Sequence, residues 1–201
     1  MRSAEAVDPG FETRNVLLLS VDVGLRGYSE AAGRLFFTRA IERLKTVPDV
    51  RAASFAWSLP LAGDSTSIRV AAEGYVPRSE NERLFVSYSA VGPDYFRAMS
   101  TPIVSGRAFD DTDTATTTPV VIVNETLARR LWPNDTPIGK RVRLGDAPSS
   151  EVEVVGVARD GKYQLLGELA TEYLFLPHAQ HYGGLVTLIA RTDGPPAALA
   201  T

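Results

Sequence analysis

Hydrophobic positions in this chain recur mostly at every second residue, with a few stretches at helical spacing between them. Val16 to Val23 (VLLLSVDV) is an apolar run with several β-branched residues and predicts a strand. Gly24-Leu25-Arg26-Gly27 turns the chain, and Phe37, Ala40, Ile41 and Leu44 then share one helical face. Ser29 is placed to cap that helix, Glu30 sits in its first turn where the helix dipole favours an acid, and Pro48 stops it. Val50 to Ser58 predicts the next strand, with Ala53, Phe55 and Trp57 on one side. A strand, helix and strand in that order predict a right-handed crossover between parallel strands. Ile68 to Ala72 predicts a strand closed by Glu73-Gly74, and Pro77 to Glu82 predicts a charged loop. In Leu84 to Val91, Leu84, Val86, Tyr88 and Ala90 face one way, and Phe85, Ser87 and Ser89 the other. Pro93 suits the first turn of a short helix carrying Tyr95, Phe96 and Met99, and Pro102 and Gly106 bracket another short strand.

The second half changes character. Thr112 to Thr118 reads as an exposed Thr-rich loop and Val120 to Val123 as a buried strand. Asn124 is placed to cap a helix, Glu125 to Leu131, with its acid early and Arg129-Arg130 late, as the macrodipole favours. Trp132-Pro133 ends that helix, and Pro137-Ile138-Gly139 turns into a strand from Lys140 to Leu144. Strands at Glu151 to Ala158, Glu172 to Leu176 and Leu185 to Arg191 follow. Residues 1–13 are polar without periodicity and read as a mobile end. The pattern as a whole predicts an α+β fold.

Composition narrows the function classes. The 201 residues are 44% hydrophobic and 22% charged, an ordinary globular balance. A net charge of −3 argues against a nucleic-acid partner. With no cysteine there is no disulfide, thiolate nucleophile or cysteine-based zinc site. No run approaches the ~18 apolar residues of a membrane span, and no signal-peptide pattern opens the chain. The closing Gly194-Pro-Pro-Ala-Ala-Leu-Ala-Thr201 reads as the start of a new segment, favouring a domain cut from a longer protein.

Candidate chemistry is sparse. Asp110, Asp111 and Asp113 crowd one turn, but an EF-hand counted from Asp110 would need Gly and Glu where Ala115 and Val121 stand, so capping or a solvated turn is expected. His178 and His181 are three apart without a zincin helix and are read as a surface pair. Phosphate-binding glycine loops and a serine-nucleophile elbow are absent from the sequence. Arg129, Arg130, Lys140, Arg141 and Arg143 read as solvated faces, and Trp57 and Trp132 as packing anchors. These residues leave open a ligand-binding module, or a metal-dependent enzyme built on the three Asp or the two His residues.

Val91-Gly-Pro-Asp-Tyr-Phe96 followed by Gly106-Arg-Ala-Phe109 and Asp113 carries a more specific signal. Around it, in order, stand Phe11 with Asn15-Val-Leu17, Tyr28-Ser29, Val47-Pro-Asp-Val50, Ser58-Leu-Pro-Leu61 and Glu73-Gly74. After it come Val121-Ile-Val-Asn124, Leu127-Ala-Arg-Arg-Leu-Trp-Pro133, Pro137-Ile-Gly-Lys140, Val154-Val-Gly-Val157 with Asp160, Tyr173-Leu-Phe-Leu-Pro177 with Gln180, and Ala190-Arg-Thr192. This series, over about residues 11–196, resembles the periplasmic core domain of MacB/FtsX-like ABC-transporter permeases, most closely the acidobacterial FtsX-like type. Met99-Ser-Thr101 departs from the family, which usually has glycine in that turn.

The resemblance implies an extracytoplasmic domain between the first and second transmembrane helices, on the periplasmic face of the bacterial inner membrane. It implies a porter-like βαβ subdomain over 1–105 plus 185–196, an inserted strand-rich (Sabre-like) subdomain over 106–184, and flexible ends at 1–10 and 197–201. The implied role is non-catalytic mechanotransmission in export or efflux, with no catalytic residue, cofactor or metal. The ATPase would be a separate cytoplasmic nucleotide-binding domain. Implied partners are the transporter's own helices and ATPase, and a periplasmic adaptor or substrate protein. The full-length protein would be a dimer and the isolated domain a monomer. Within that frame Tyr95, Phe96, Gly106, Arg107, Phe109 and Asp113 are expected to form a structural joint between the subdomains.

Overall fold

The periodicities resolve into ten strands and three α-helices in a computed structural model that describes residues 8–63, 66–73, 84–145 and 150–196. Gly74, the charged loop at 77–82, residues 1–7 and residues 197–201 lie outside the described residues. The strands are β1 (Val16–Asp22), β2 (Val50–Ala56), β3 (Thr66–Ala72), β4 (Leu84–Val91), β5 (Ile103–Gly106), β6 (Val120–Asn124), β7 (Arg141–Leu144), β8 (Glu151–Ala158), β9 (Tyr173–Pro177) and β10 (Leu185–Thr192). The helices are α1 (Glu30–Lys45), α2 (Tyr95–Met99) and α3 (Glu125–Leu131).

Both predicted caps form. Ser29 accepts a hydrogen bond from Ala32 N, and Asn124 accepts one from Leu127 N. Asn124 does more than cap: it is fully buried, its Oδ1 also accepts from Tyr173 N at 3.0 Å, and its Nδ2 donates to Thr171 O at 2.8 Å. One side chain therefore closes α3 and fixes the entry of β9, leaving its own polar atoms satisfied. The short helix differs from expectation: α2 begins at Tyr95, and Pro93 lies in the turn ahead of it because Asp94 takes φ 60°. At the other end Ser100 takes φ 54°, the left-handed region in which a glycine would be unstrained.

β1, β10 and β2 form a three-strand layer in which β10 runs antiparallel to both neighbours. The predicted crossover from β1 to β2 is thus parallel but split, with the chain's last strand filling the gap. β2 hands over to β4 through Ala56 opposite Val91. From there the strands close on themselves in the order β4-β3-β7-β8-β6-β9, and β9 returns to β4 as a parallel pair. Closure leaves no free edge within the ring.

Three clusters fill the space. Phe37 and Ile41 of α1 cover Ala53 and Phe55 of β2 and Val186 and Leu188 of β10. Val86, Val121, Val123, Val142, Val154, Leu174 and Leu176 belong to the cluster of the ring strands, with Leu127 of α3. The third contains Ala52, Ile189, Tyr95, Phe96, Met99, Ile122, Tyr173 and Phe175. β9 serves two cores at once: Leu174 and Leu176 enter one, Tyr173 and Phe175 the other, so all five of its residues are buried. Period two gives a strand two faces, and here both are apolar.

Residues 8–13 are not the mobile end that their polarity suggests. Pro9 O accepts from Lys162 N at 2.8 Å, Glu12 N donates to Met99 O at 3.1 Å, and Phe11 packs against the third cluster. Arg191 clamps the same segment, donating to Ala98 O, Arg14 O and Glu12 O. No helix among the described residues is long and apolar enough to cross a membrane.

Candidate functional site

The segment from Tyr95 to Asp113 lies where the three-strand layer meets the closed ring. Tyr95 and Phe96 occupy adjacent positions on α2 and are both buried. Phe175 of β9 meets both rings, at 5.7 Å from Tyr95 and 5.0 Å from Phe96. Phe109 adds a ring 6.2 Å from Phe96. Edge-on and tilted contacts of this kind suit the aromatic quadrupole and add to the area buried. Tyr163 extends the series by stacking on Tyr173 at 3.8 Å.

Gly106 ends β5 at φ 71° and lies opposite Gly156 of β8. A Cβ on Gly106 would meet Val155 O at 2.2 Å, and one on Gly156 would meet Arg107 O at 2.2 Å. The two glycines therefore permit a backbone approach that no other residue fits. Arg107 N completes the crossing by donating to Val155 O at 2.9 Å.

Beyond the crossing Arg107 folds back on Asp113. Its Nη1 and Nη2 donate to Oδ2 and Oδ1, each at 2.7 Å, in the bidentate geometry that guanidinium and carboxylate share. Asp113 is buried and also accepts from Asp110 N at 2.9 Å. Asp110 accepts from Thr112 N and Oγ1, and the Thr112 hydroxyl hydrogen bond is the main reason its carboxyl sits below the usual range. Asp110 and Asp113 each accept a backbone N–H within the turn, Asp113 also pairs with Arg107, and Asp111 is exposed, which agrees with the expected capping or solvated turn.

A cleft of about 370 Å³ separates this acidic turn from α1, lined by Arg34, Phe55, Phe109, Asp111, Pro177 and His178 among others. Arg34 bridges its floor, donating Nη1 to Ala179 O at 2.9 Å while Glu30 holds Nε and Nη2. His178 is not the surface residue expected of it. Its ring is buried against Phe37, Phe55 and Tyr182, and Nε2 lies 3.0 Å from Gly183 O and 3.2 Å from Gly183 N, donating to one or accepting from the other according to its tautomer. His181 is half-buried.

Burial lowers the pKa of both histidines. The folded protein thus resists protonating them, while the unfolded chain takes up protons near 6.5. Their contribution is fully present above that value and is lost as pH falls from it through the depressed folded values. Unfolding free energy is expected to drop between pH 7.5 and 5.5, with a shallower slope in His178→Gln. An equal slope in the variant would remove His178 from the account.

The structure thus brings Tyr95, Phe96, Gly106, Arg107, Phe109 and Asp113 along one seam. Tyr95, Phe96 and Phe109 seal a core, and Gly106, Arg107 and Asp113 fix the backbone at and after the β5–β8 crossing. Nothing in the sequence assigns a role to Arg34, Phe175 or Arg191, although the last two stand inside the motif series. Phe175 stood inside a recognised strand motif, but only three-dimensional closure shows that it meets α2. Arg34 gave no signal beyond an i, i+4 pairing with Glu30.

Comparison with known proteins gives consistent matches. The family model for the MacB-like periplasmic core domain matches residues 5–199. The macrolide export ATP-binding/permease protein MacB of Shewanella sp. (strain W3-18-1) is 23% identical over 109 residues, 54% of this chain and 16% of that protein. The MacB protein of Hahella chejuensis (strain KCTC 2396) is 29% identical over 131 residues, 61% of this chain and 19% of that protein. The matches thus span less than a fifth of either relative. Among solved structures, the periplasmic region of MacB from Actinobacillus actinomycetemcomitans superposes with a TM-score of 0.60 at 15% identity, covering 95% of this chain and 80% of that one. The extracellular domain of the noncanonic ABC-type transporter YknZ, from Gram-positive bacteria, gives 0.57 at 15% identity, covering 92% and 88%. These likenesses establish a shared mixed helix-and-strand fold.

Proposed function

The chain belongs to the MacB-like periplasmic core domain family, and from that premise we propose that it is a non-catalytic relay in an ABC transporter. ATP-driven movement of membrane helices would reach it from the cytoplasmic ATPase and pass through it to a periplasmic adaptor or substrate protein. Its position would be the outer face of the inner membrane, between the first two transmembrane helices, in a dimeric transporter. The porter-like part would comprise 1–105 plus 185–196, the Sabre-like part 106–184, and the seam from Tyr95 to Asp113 would be their joint.

The observation that carries the relay is the continuity of the sheet. Hydrogen-bonded ladders run from β1 to β9 and cross the proposed division at β3–β7, β4–β9 and β5–β8. Bending the closed ring would break these ladder bonds, and bending the layer against the ring, which it joins through one strand pair at Ala56 and Val91, would open the aromatic core between them, so the body moves as a whole. Displacement at one end then appears at the other without loss.

Paired spin labels in the intact transporter test this. Labels at the exposed Arg39 and Thr116 positions of one copy are expected to keep their separation between nucleotide-free and ATP-trapped states. Labels at Arg39 in the two copies are expected to change theirs. Constant distances in both experiments would sink the relay, and a changing Arg39–Thr116 distance would replace the stiff body with a hinge.

A further inference from the structure

We infer that β1 is a docking edge for a second copy of this chain, pairing antiparallel about a two-fold axis at Leu18. Among the described residues β1 pairs with β10 alone, so its other side is open. Asn15 O accepts from Thr192 N, and Val23 N donates to Gly184 O. The odd-numbered residues between them therefore turn their backbone groups toward β10, and Val16, Leu18, Ser20 and Asp22 turn theirs outward. An open edge is a template for another strand, and folded proteins blunt it with lysine, proline or a bulge. β1 has none of these: Val16 to Val21 is uncharged, and its register with β10 runs without a shift.

Its side chains are apolar where solvent would favour polar ones. Leu17, Leu18 and Leu19 are 37%, 50% and 58% exposed. On the Leu18 side the edge borders an apolar hollow of about 310 Å³, lined by Phe11, Val16, Leu59, Leu61 and Met99 together with Leu18.

The occupant follows from self-complementarity. An antiparallel pair centred on Leu18 sets Leu17 against Leu19 of the second copy and Val16 against its Ser20. It also brings Arg14, whose side chain is 85% exposed and ion-paired with Glu12 of its own chain, to the end where Asp22 of the second copy lies. Arg14 of one copy and Asp22 of the other then meet at both ends of the pair, since an isologous interface repeats every contact. Backbone, apolar and charged groups thus all fit the same two-fold arrangement. The inference rests on this strand and not on the relay reading.

One ladder buries less than the ~1,200 Å² of a stable interface, so pairing of the isolated chain will depend on concentration. The chain has no cysteine, which makes single-cysteine variants clean probes. Opposed Cα atoms in a hydrogen-bonded antiparallel pair lie ~5.5 Å apart, within disulfide reach. Under mild oxidation Leu18→Cys is expected to form covalent dimers several-fold faster than Leu25→Cys, a leucine that is 84% exposed but lies off the strand. Sedimentation should show a dimer fraction rising with concentration, abolished in Leu18→Lys, where like charges would face each other across the axis. Equal cross-linking at Leu18→Cys and Leu25→Cys, or a monomer at every concentration, would overturn the inference whatever the fate of the relay.

Discussion

Phe175→Ala is expected to lower the free energy of unfolding by about 3–5 kcal/mol, the range for emptying a buried aromatic site. The ring is 2% exposed and lies within contact range of Tyr95, Phe96, Tyr163 and Tyr173. Those neighbours come from α2, from the segment after β8, and from β9 itself, each tethered by its own ladder or helix. They cannot all collapse onto an alanine, so most of the cavity would persist. Against a total stability of about 5–15 kcal/mol for a domain, such a loss is severe. Urea titration measures it, with Phe85→Ala as the control: Phe85 is 59% exposed, and its removal should cost well under ~1 kcal/mol. A loss below ~1 kcal/mol at Phe175 would mean that the aromatic seam does not hold α2 to the ring.

The contrast between Phe175 and Phe85 shows where sequence reading runs out. Both phenylalanines sit in predicted strands; alternation sets Phe85 with Ser87 and Ser89, but gives no sign of which face of the later strand carries Phe175. What separates them is which face of which strand another element covers, and that depends on ring closure. The strand predicted over Glu172 to Leu176 is found as β9 at Tyr173–Pro177, because aromatic and leucine density is a local property. Its parallel pairing with β4, 86 residues earlier at Ser87 and Tyr173, is not local. Caps read well for the opposite reason: Ser29 and Asn124 act within three residues, inside the reach of pattern. His178 was misplaced because a polar residue after a strand looks solvated until Phe37 and Phe55 are known to surround it. Residues 8–13 look mobile in sequence for a similar reason, since their backbone bonds go to the distant Met99 and Lys162. The family series compensates in part: it singled out Gly106 and Asp113 before any contact was known.

The second large effect falls on one of those residues, through backbone rather than side chain. Gly106→Ala is expected to cost about 1–3 kcal/mol for holding a non-glycine residue at positive φ, and ~1–3 kcal/mol more for forcing a methyl group into occupied space. The occupied space is not yielding. Besides Val155 O at 2.2 Å, the new Cβ would meet Gly156 Cα at 3.0 Å, and both belong to the paired strand β8. Only Ile138 Cδ1, at 2.7 Å, is a side-chain end that can swing away. Relief therefore requires β5 to separate from β8, which breaks the Arg107 N to Val155 O bond and draws Arg107 off Asp113. Gly139→Ala separates the two contributions. Gly139 takes φ 79° with nothing within 4 Å of an added Cβ, so it carries the backbone strain alone. Thermal or urea unfolding of the two variants should place Gly106→Ala clearly below Gly139→Ala. Equal losses would show that the glycines at the β5–β8 crossing are chosen for their conformation alone, and that the close approach does not hold β5 against β8.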